Sequence, residues 1–133
     1  MLLHEHPAQA DSWGEQCVKD VMEIEGADII TMDQCQFGQC DEEGSPIKKP
    51  TKWPSNSPHI LRKLSKRCTG RLGLCSRNGG DERHVLASGR IARDAAIYPF
   101  QLCKAIVEGL RDELAARGHY SKSLGVIAPL GYG

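Results

Sequence analysis

Residues 27–32, Ala27-Asp28-Ile29-Ile30-Thr31-Met32, are a short β-branched apolar run between Gly26 and a polar loop. Such a run reads as a buried strand, over about 27–33. A second extended stretch, residues 47–53, follows a Gly44-Ser45-Pro46 turn, so the two predict a hairpin with a long loop. Its near arm ends in Asp33, Gln34 and Cys35, and its far arm carries Lys48, Lys49 and Lys52. Acid, amide, thiol and ammonium groups gathered at strand ends and in the loop between them mark this hairpin as the place to look for a site.

The flanking segments fix the class as α/β. An apolar start at residues 2–6 reads as a first strand, ahead of Pro7. Asp11-Ser12 offers a helix cap, and Trp13, Cys17, Val18, Val21 and Met22 recur at helical spacing, predicting a helix over 12–24 that ends at Gly26. Strand, helix, strand in about thirty residues is the signature of a parallel crossover unit. Asn56-Ser57-Pro58 is a cap followed by proline at the first helical position, predicting a helix over 57–66. The last element is a helix over 99–117. Its apolar stripe is Leu102, Cys103, Ile106, Val107, Leu110 and Leu114, with Lys104, Glu108, Arg111 and Glu113 opposite. Residues 68–90 hold five glycines and no sustained period, so they read as a long loop. The expected organisation is one domain over 1–118 and a flexible tail over 119–133.

Composition narrows the function classes. Lys plus Arg equals Asp plus Glu, 17 each, which argues against wrapping nucleic acid by overall charge. Charge is nevertheless uneven: residues 48–71 contain eight basic residues and no acid, a segment able to track phosphates. No stretch approaches the roughly 18 apolar residues of a membrane helix. The start lacks the features of a secretory signal. The six cysteines therefore read as reduced thiols in an intracellular compartment, cytoplasmic or nuclear.

Among candidate chemical groups, Glu5 lies at the end of the first strand, where ligands of open α/β sheets bind. Cys35-x4-Cys40 and Cys68-x6-Cys75, with His84, offer zinc ligands from two loops, although the second spacing is wide for a structural site. Scattered reduced cysteines are the favoured reading and zinc the alternative. Cys17 and Cys103, on apolar helix faces, read as core thiols. No glycine-rich loop has the strand-before, helix-after setting of a nucleotide site.

Taken in order, HEHP (4–7), DQCQFG (33–38), KKPTKWPSNS (48–57), RCTG (67–70), HV (84–85) and YPFQLCKAIVEGL (98–110) resemble successive segments of a known domain. It is the carboxyl-terminal part of a methyltransferase-like domain encoded by retroelements, distantly similar to cytosine DNA methyltransferases. The resemblance covers residues 2 to about 112 and rests on the order of short motifs. It implies a partial class I methyltransferase-like (Rossmann-like) sheet of about three strands with an antiparallel hairpin, flanked by helices. It also implies that Glu5 occupies the place of the glutamate that hydrogen-bonds a flipped base, and that Lys48, Lys49 and Lys52 lie against DNA. A complete domain of this kind would use S-adenosylmethionine. The glycine-containing cofactor loop and the Pro-Cys nucleophile segment that it carries upstream are not in these 133 residues. The expectation is a truncated domain, inactive alone, with nucleic acid and the missing amino-terminal half as partners. The alternative is a small zinc-stabilised interaction module built on Cys35, Cys40, Cys68, Cys75 and His84.

Overall fold

A computed structural model describes residues 3–7, 19–20 and 22–118. Strand β1 is His6–Pro7, β2 Asp28–Asp33 and β3 Pro50–Ser55; helix α1 is Pro58–Leu64, α2 Gly89–Asp94 and α3 Phe100–Ala116. The fold is mixed α/β. The β2–β3 hairpin forms the body of the sheet, in register from Asp28 opposite Ser55 to Asp33 opposite Pro50. The two-residue β1 adds to the other edge of β3, His6 opposite Lys52 and Pro7 opposite Thr51, giving the order β1-β3-β2.

Every pairing in this sheet is antiparallel. The two strands of the expected crossover unit, β1 and β2, are thus parallel, as that reading requires, but they are not adjacent. β3 lies between them and takes the hydrogen bonds of both. Most of the helix expected over 12–24, with Cys17, lies outside the described residues. Gly26, at φ +77, ends this segment in the left-handed conformation that glycine adopts without strain.

β3 starts at Pro50, three residues later than its composition suggests. Lys49 has φ +36, which no strand residue adopts, and Pro50 can open a strand because its missing N–H falls at the ladder's end. Before it, residues 39–47 form a small ribbon of their own. Ile47 N–H donates to Gln39 O at 3.0 Å, and Asp41 Oδ1 accepts from the Glu43 and Ser45 backbone N–H groups at 3.0 and 2.8 Å.

One face of the hairpin carries the core. Met32 and Trp53 pack with Phe37, Ile60, Leu61, Leu64, Leu102 and Ala105. The Ser57 side chain caps α1 by accepting from Ile60 N–H at 3.2 Å, as the Ser-Pro signal predicts. Against α1, α3 presents Leu102, Ala105, Gly109 and Glu113, with Ile106 and Leu110 partly buried beside them. The expected stripe is thus rotated: Cys103 is exposed, not a core thiol, and Val107 is 55% exposed, whereas Glu113 is buried. Among the described residues no helix is long and apolar enough to cross a membrane.

Glu113 joins the two helices. It accepts from Ser57 Oγ at 2.6 Å and from Arg117 Nε at 2.9 Å. The Ser57 hydrogen bond, with help from Arg117 and against the opposing effect of burial, holds its carboxyl below the ordinary glutamate value. A carboxylate with a depressed pKa stabilises the fold above its unfolded pKa and stops doing so as pH falls through the folded one. Glu113→Gln is expected to cost about 1–3 kcal/mol near pH 7. The difference from wild type should close at acid pH. Urea denaturation at neutral pH and again near the protein's acid limit checks this; a difference unchanged between the two would show that the charge is not what matters.

Candidate metal centre

The chain after β2 turns at once into a 3-10 turn, Gln34–Phe37, closed by Gly38 at φ +89. That turn points Cys35 inward, leaving it 1% exposed. A second segment arrives from α1. The Lys66 carbonyl accepts from Asp33 N–H at 3.0 Å, and the fully buried Asp33 carboxylate accepts through Oδ2 from Arg67 Nε at 2.9 Å and Cys68 N–H at 2.8 Å. Asp33 thus fixes Cys68 beside Cys35, although the two cysteines are far apart in sequence. Its other oxygen, Oδ1, has no hydrogen-bond partner among the described residues.

The third segment is the loop that the sequence leaves without period. It folds back on itself: Cys75 N–H donates to Glu82 O at 2.6 Å and His84 N–H to Gly73 O at 2.8 Å, with Leu74 and Arg83 forming a β-bridge. Arg77 clamps this ribbon, donating from Nε to Glu82 Oε1 at 3.1 Å and from a terminal nitrogen to Gly44 O at 2.7 Å. Gly70 makes the approach possible. A Cβ there would lie 1.9 Å from Leu74 O, so only glycine lets residues 68–76 close this tightly. The outcome is that Cys75 is fully buried and His84 half-buried, both facing Cys35 and Cys68.

The donor atoms of Cys35, Cys68, Cys75 and His84 all lie within 4.8 Å of one another, and Cys68 Sγ is 3.7 Å from His84 Nε2. In a tetrahedral zinc site, bond lengths of about 2.0–2.3 Å put neighbouring donors roughly 3.4–3.8 Å apart. The four donors are within a small contraction of that geometry. Three sulfurs and an imidazole are also the soft set that selects zinc over magnesium or calcium.

Hydrogen bonds to sulfur agree with this. The Ser76 backbone N–H and hydroxyl each lie 3.5 Å from Cys68 Sγ, and Gln36 Nε2 donates to Cys35 Sγ at 3.3 Å and Cys75 Sγ at 3.7 Å. Donors directed at sulfur stabilise thiolates. Partial burial pushes the Cys68 thiol up, but the Ser76 N–H and hydroxyl, the Gly70 N–H and the Cys35 thiol outweigh it and bring it down to about 7. Burial drives Cys35 the other way, up to about 12, with Gln36 opposing and the neighbouring Cys75 and Cys68 adding to the rise. Burial, with Lys48 and Arg77 nearby, lowers His84, which keeps its imidazole neutral as a ligand must be. A bound cation would deprotonate the remaining thiols.

Cys40 does not belong to the centre. It is exposed, and its backbone bridges Pro46 in the 39–47 ribbon. The pairing of Cys35 with Cys40 is corrected accordingly: the turn through Gly38 carries Cys40 away from the face into which Cys35 points. The cysteines that do converge are not scattered thiols. A Cys68–His84 nucleophilic pair explains less, because such a pair has no need of two further buried thiols converging on it.

The remaining sequence candidates lie elsewhere. Glu5 is half-buried and meets the Tyr98 hydroxyl; burial of the phenol and then the Glu5 charge raise the Tyr98 pKa, and the Tyr98 ring packs on Trp53 at 5.8 Å between centroids. The three hairpin lysines do not share one role. Lys48 is near enough to His84 to disfavour its protonation, Lys49 Nζ donates to Ala95 O at 2.9 Å, and Lys52 sits on the central strand opposite His6 and Thr31. Comparison of the chain with protein-family models, curated proteins and solved structures returns no match.

Proposed function

We propose that this chain is a zinc-stabilised interaction module, in which one Zn2+ held by Cys35, Cys68, Cys75 and His84 pins residues 66–84 to the end of the β-hairpin. The observation that carries this reading is the convergence of four soft donors from three separate segments within 4.8 Å. Four protein ligands complete a tetrahedron and leave no open position for a substrate, so the metal's role is structural. The ion would replace a second core for a stretch of chain with few buried apolar side chains.

The reading is tested on protein purified without chelator, by metal analysis and by exchange into cobalt. One zinc per chain is expected, with the visible absorption of tetrahedral cobalt–thiolate after exchange. Cys40→Ser should keep both signals. A metal-free protein, or one whose metal is lost with Cys40→Ser and kept with Cys35→Ser, would overturn it.

One observation supports the methyltransferase-like reading beside it. β3 lies antiparallel between two strands of common direction, and the resemblance places an antiparallel hairpin at the last strands of a class I sheet. On that reading Glu5, at the first strand, is the base-binding carboxylate, and S-adenosylmethionine and nucleic acid belong to the complete domain. The two readings are compatible, since the zinc would hold the hairpin's far end whatever the sheet's ancestry.

A further inference from the structure

Beside the α1–α3 contact, on a face built without any of the four metal ligands, lies a cleft of about 500 Å3. Arg62, Lys63 and Lys66 line it from α1 and its exit, and Gln101, Lys104 and Glu108 from α3. Its one acid is already engaged: Lys63 Nζ stands 3.9 Å from Glu108 and 4.0 Å from Asp112. Arg62, Lys66 and Lys104 have no acidic partner among the described residues, and all three are exposed. Lys66 is steered into place by the Phe37 ring, 5.1 Å below its ammonium. The wall therefore offers three cations that no described acid pairs with, in a concave setting. Lys104 has a neighbour of another kind. Phe100 is 78% exposed and lies one helical turn before it, on the same side of α3.

We propose that this cleft binds the backbone of single-stranded nucleic acid, with Arg62, Lys66 and Lys104 on successive phosphates and Phe100 stacking a base at the rim. A basic groove with an exposed aromatic at its edge is the combination that single strands need, because phosphates supply the charge and every base has a face to stack. A concavity between two helices admits a strand more readily than the convex surface of a duplex. An acidic peptide would use the cations and leave Phe100 without a role. Binding is sequence-tolerant so far as phosphate contacts and stacking carry it, since neither of these reads base edges. The hairpin lysines are not required, Lys49 being held by Ala95 O. The proposal goes beyond the metal reading and does not rest on it.

Fluorescence anisotropy with the full chain, purified without chelator, and a labelled oligothymidylate of about a dozen nucleotides tests it. Wild type should bind at low salt with a log–log salt slope of about −2 to −3, as expected for three to four phosphate contacts on a single strand. The Arg62→Gln, Lys66→Gln, Lys104→Gln triple variant should lose more than about 10-fold in affinity and most of the slope. Phe100→Ala should lose about 5-fold or more with the slope unchanged. All four residues are exposed, so melting curves and zinc content of the variants should match wild type, and a binding failure is then read separately from a failure of the metal site. Three results overturn the proposal: no binding by wild type at low salt, a triple variant that binds like wild type, or Phe100→Ala without effect. Competition by duplex DNA or polyglutamate as effective as by the oligothymidylate also overturns it.

Discussion

Removing zinc should lower the melting temperature by roughly 10–20 °C and release the 66–84 segment before the hairpin core. Ligand at about a thousand times its dissociation constant stabilises a fold by about 4 kcal/mol. In a domain of this size each kilocalorie moves the midpoint by about 3–5 °C. The change should be local first. Around the centre, Cys75 is the only buried side chain between residues 65 and 88, so without the ion little apolar burial holds that stretch. The core formed by Met32, Trp53, Leu61, Leu64 and Leu102 does not pass through the metal. Hydrogen exchange reads the difference directly. With chelator, the Cys75 and His84 amides, which bond Glu82 O and Gly73 O, should lose protection, whereas the Leu61 and Leu102 amides keep theirs. Cys75→Ser should reproduce the chelated pattern in the presence of zinc, because a hydroxyl is a poor zinc ligand. Gly70→Ala should do the same through the backbone, since its Cβ would collide with Leu74 O. Equal protection with and without chelator would show that the loop holds itself.

Local pattern made three elements legible. β2 was carried by its β-branched run, α1 by the Ser57 cap and Pro58, and α3 by its apolar period. Where the reading went astray, a non-local contact had decided. Lys49 at φ +36 delayed β3, and that conformation is held in a setting where its ammonium reaches Ala95, 46 residues on. The seam of α3 moved onto Leu102, Ala105, Gly109 and Glu113 because close helix approach favours small residues, and a hydrophobicity pattern gives glycine and glutamate no weight. Helix α2 had no distinctive period and was not foreseen.

The centre was half visible. Four of the five residues of the zinc alternative are in it; the fifth, Cys40, enters on its x4 spacing from Cys35, and spacing does not show that the turn at Gly38 carries it to the surface. Spacing finds ligands that sit on one knuckle; here one comes from the hairpin and three from a loop more than thirty residues later. The bond between the two segments is Asp33 to Arg67 and Cys68, which no spacing rule contains. A better signal was present in Cys68-Thr69-Gly70. A glycine two residues after a cysteine lets the backbone turn its N–H groups onto sulfur, and here the Gly70 N–H does so. Nor was the basic segment a single face. Its sheet lysines and its helix cations point to different surroundings, and Lys104 joins the latter from a separate helix.

Gly109→Val should destabilise the protein by about 3 kcal/mol or more, and even Gly109→Ala should be destabilising. In a solvated helix the second change would help, since alanine is favoured over glycine by about 1 kcal/mol. At Gly109 an added Cβ would stand 2.6 Å from Ile60 Cα, 3.2 Å from Ile60 Cγ1 and 3.2 Å from His59 O. The nearest of these is backbone, so no rotamer change relieves the overlap; α1 and α3 must separate. Separation loosens Ile60, Leu61 and Leu64 against Leu102 and Ala105, and it stretches the 2.6 Å bond between Ser57 and Glu113. Overpacking of this kind typically costs about 1–3 kcal/mol, more when the backbone must move. Valine adds two further methyl groups in the same place and is a weaker helix former. Urea denaturation of the zinc-loaded proteins gives the sign. An alanine variant more stable than wild type by the solvated-helix amount would mean that α3 does not approach α1 as closely as its glycine permits.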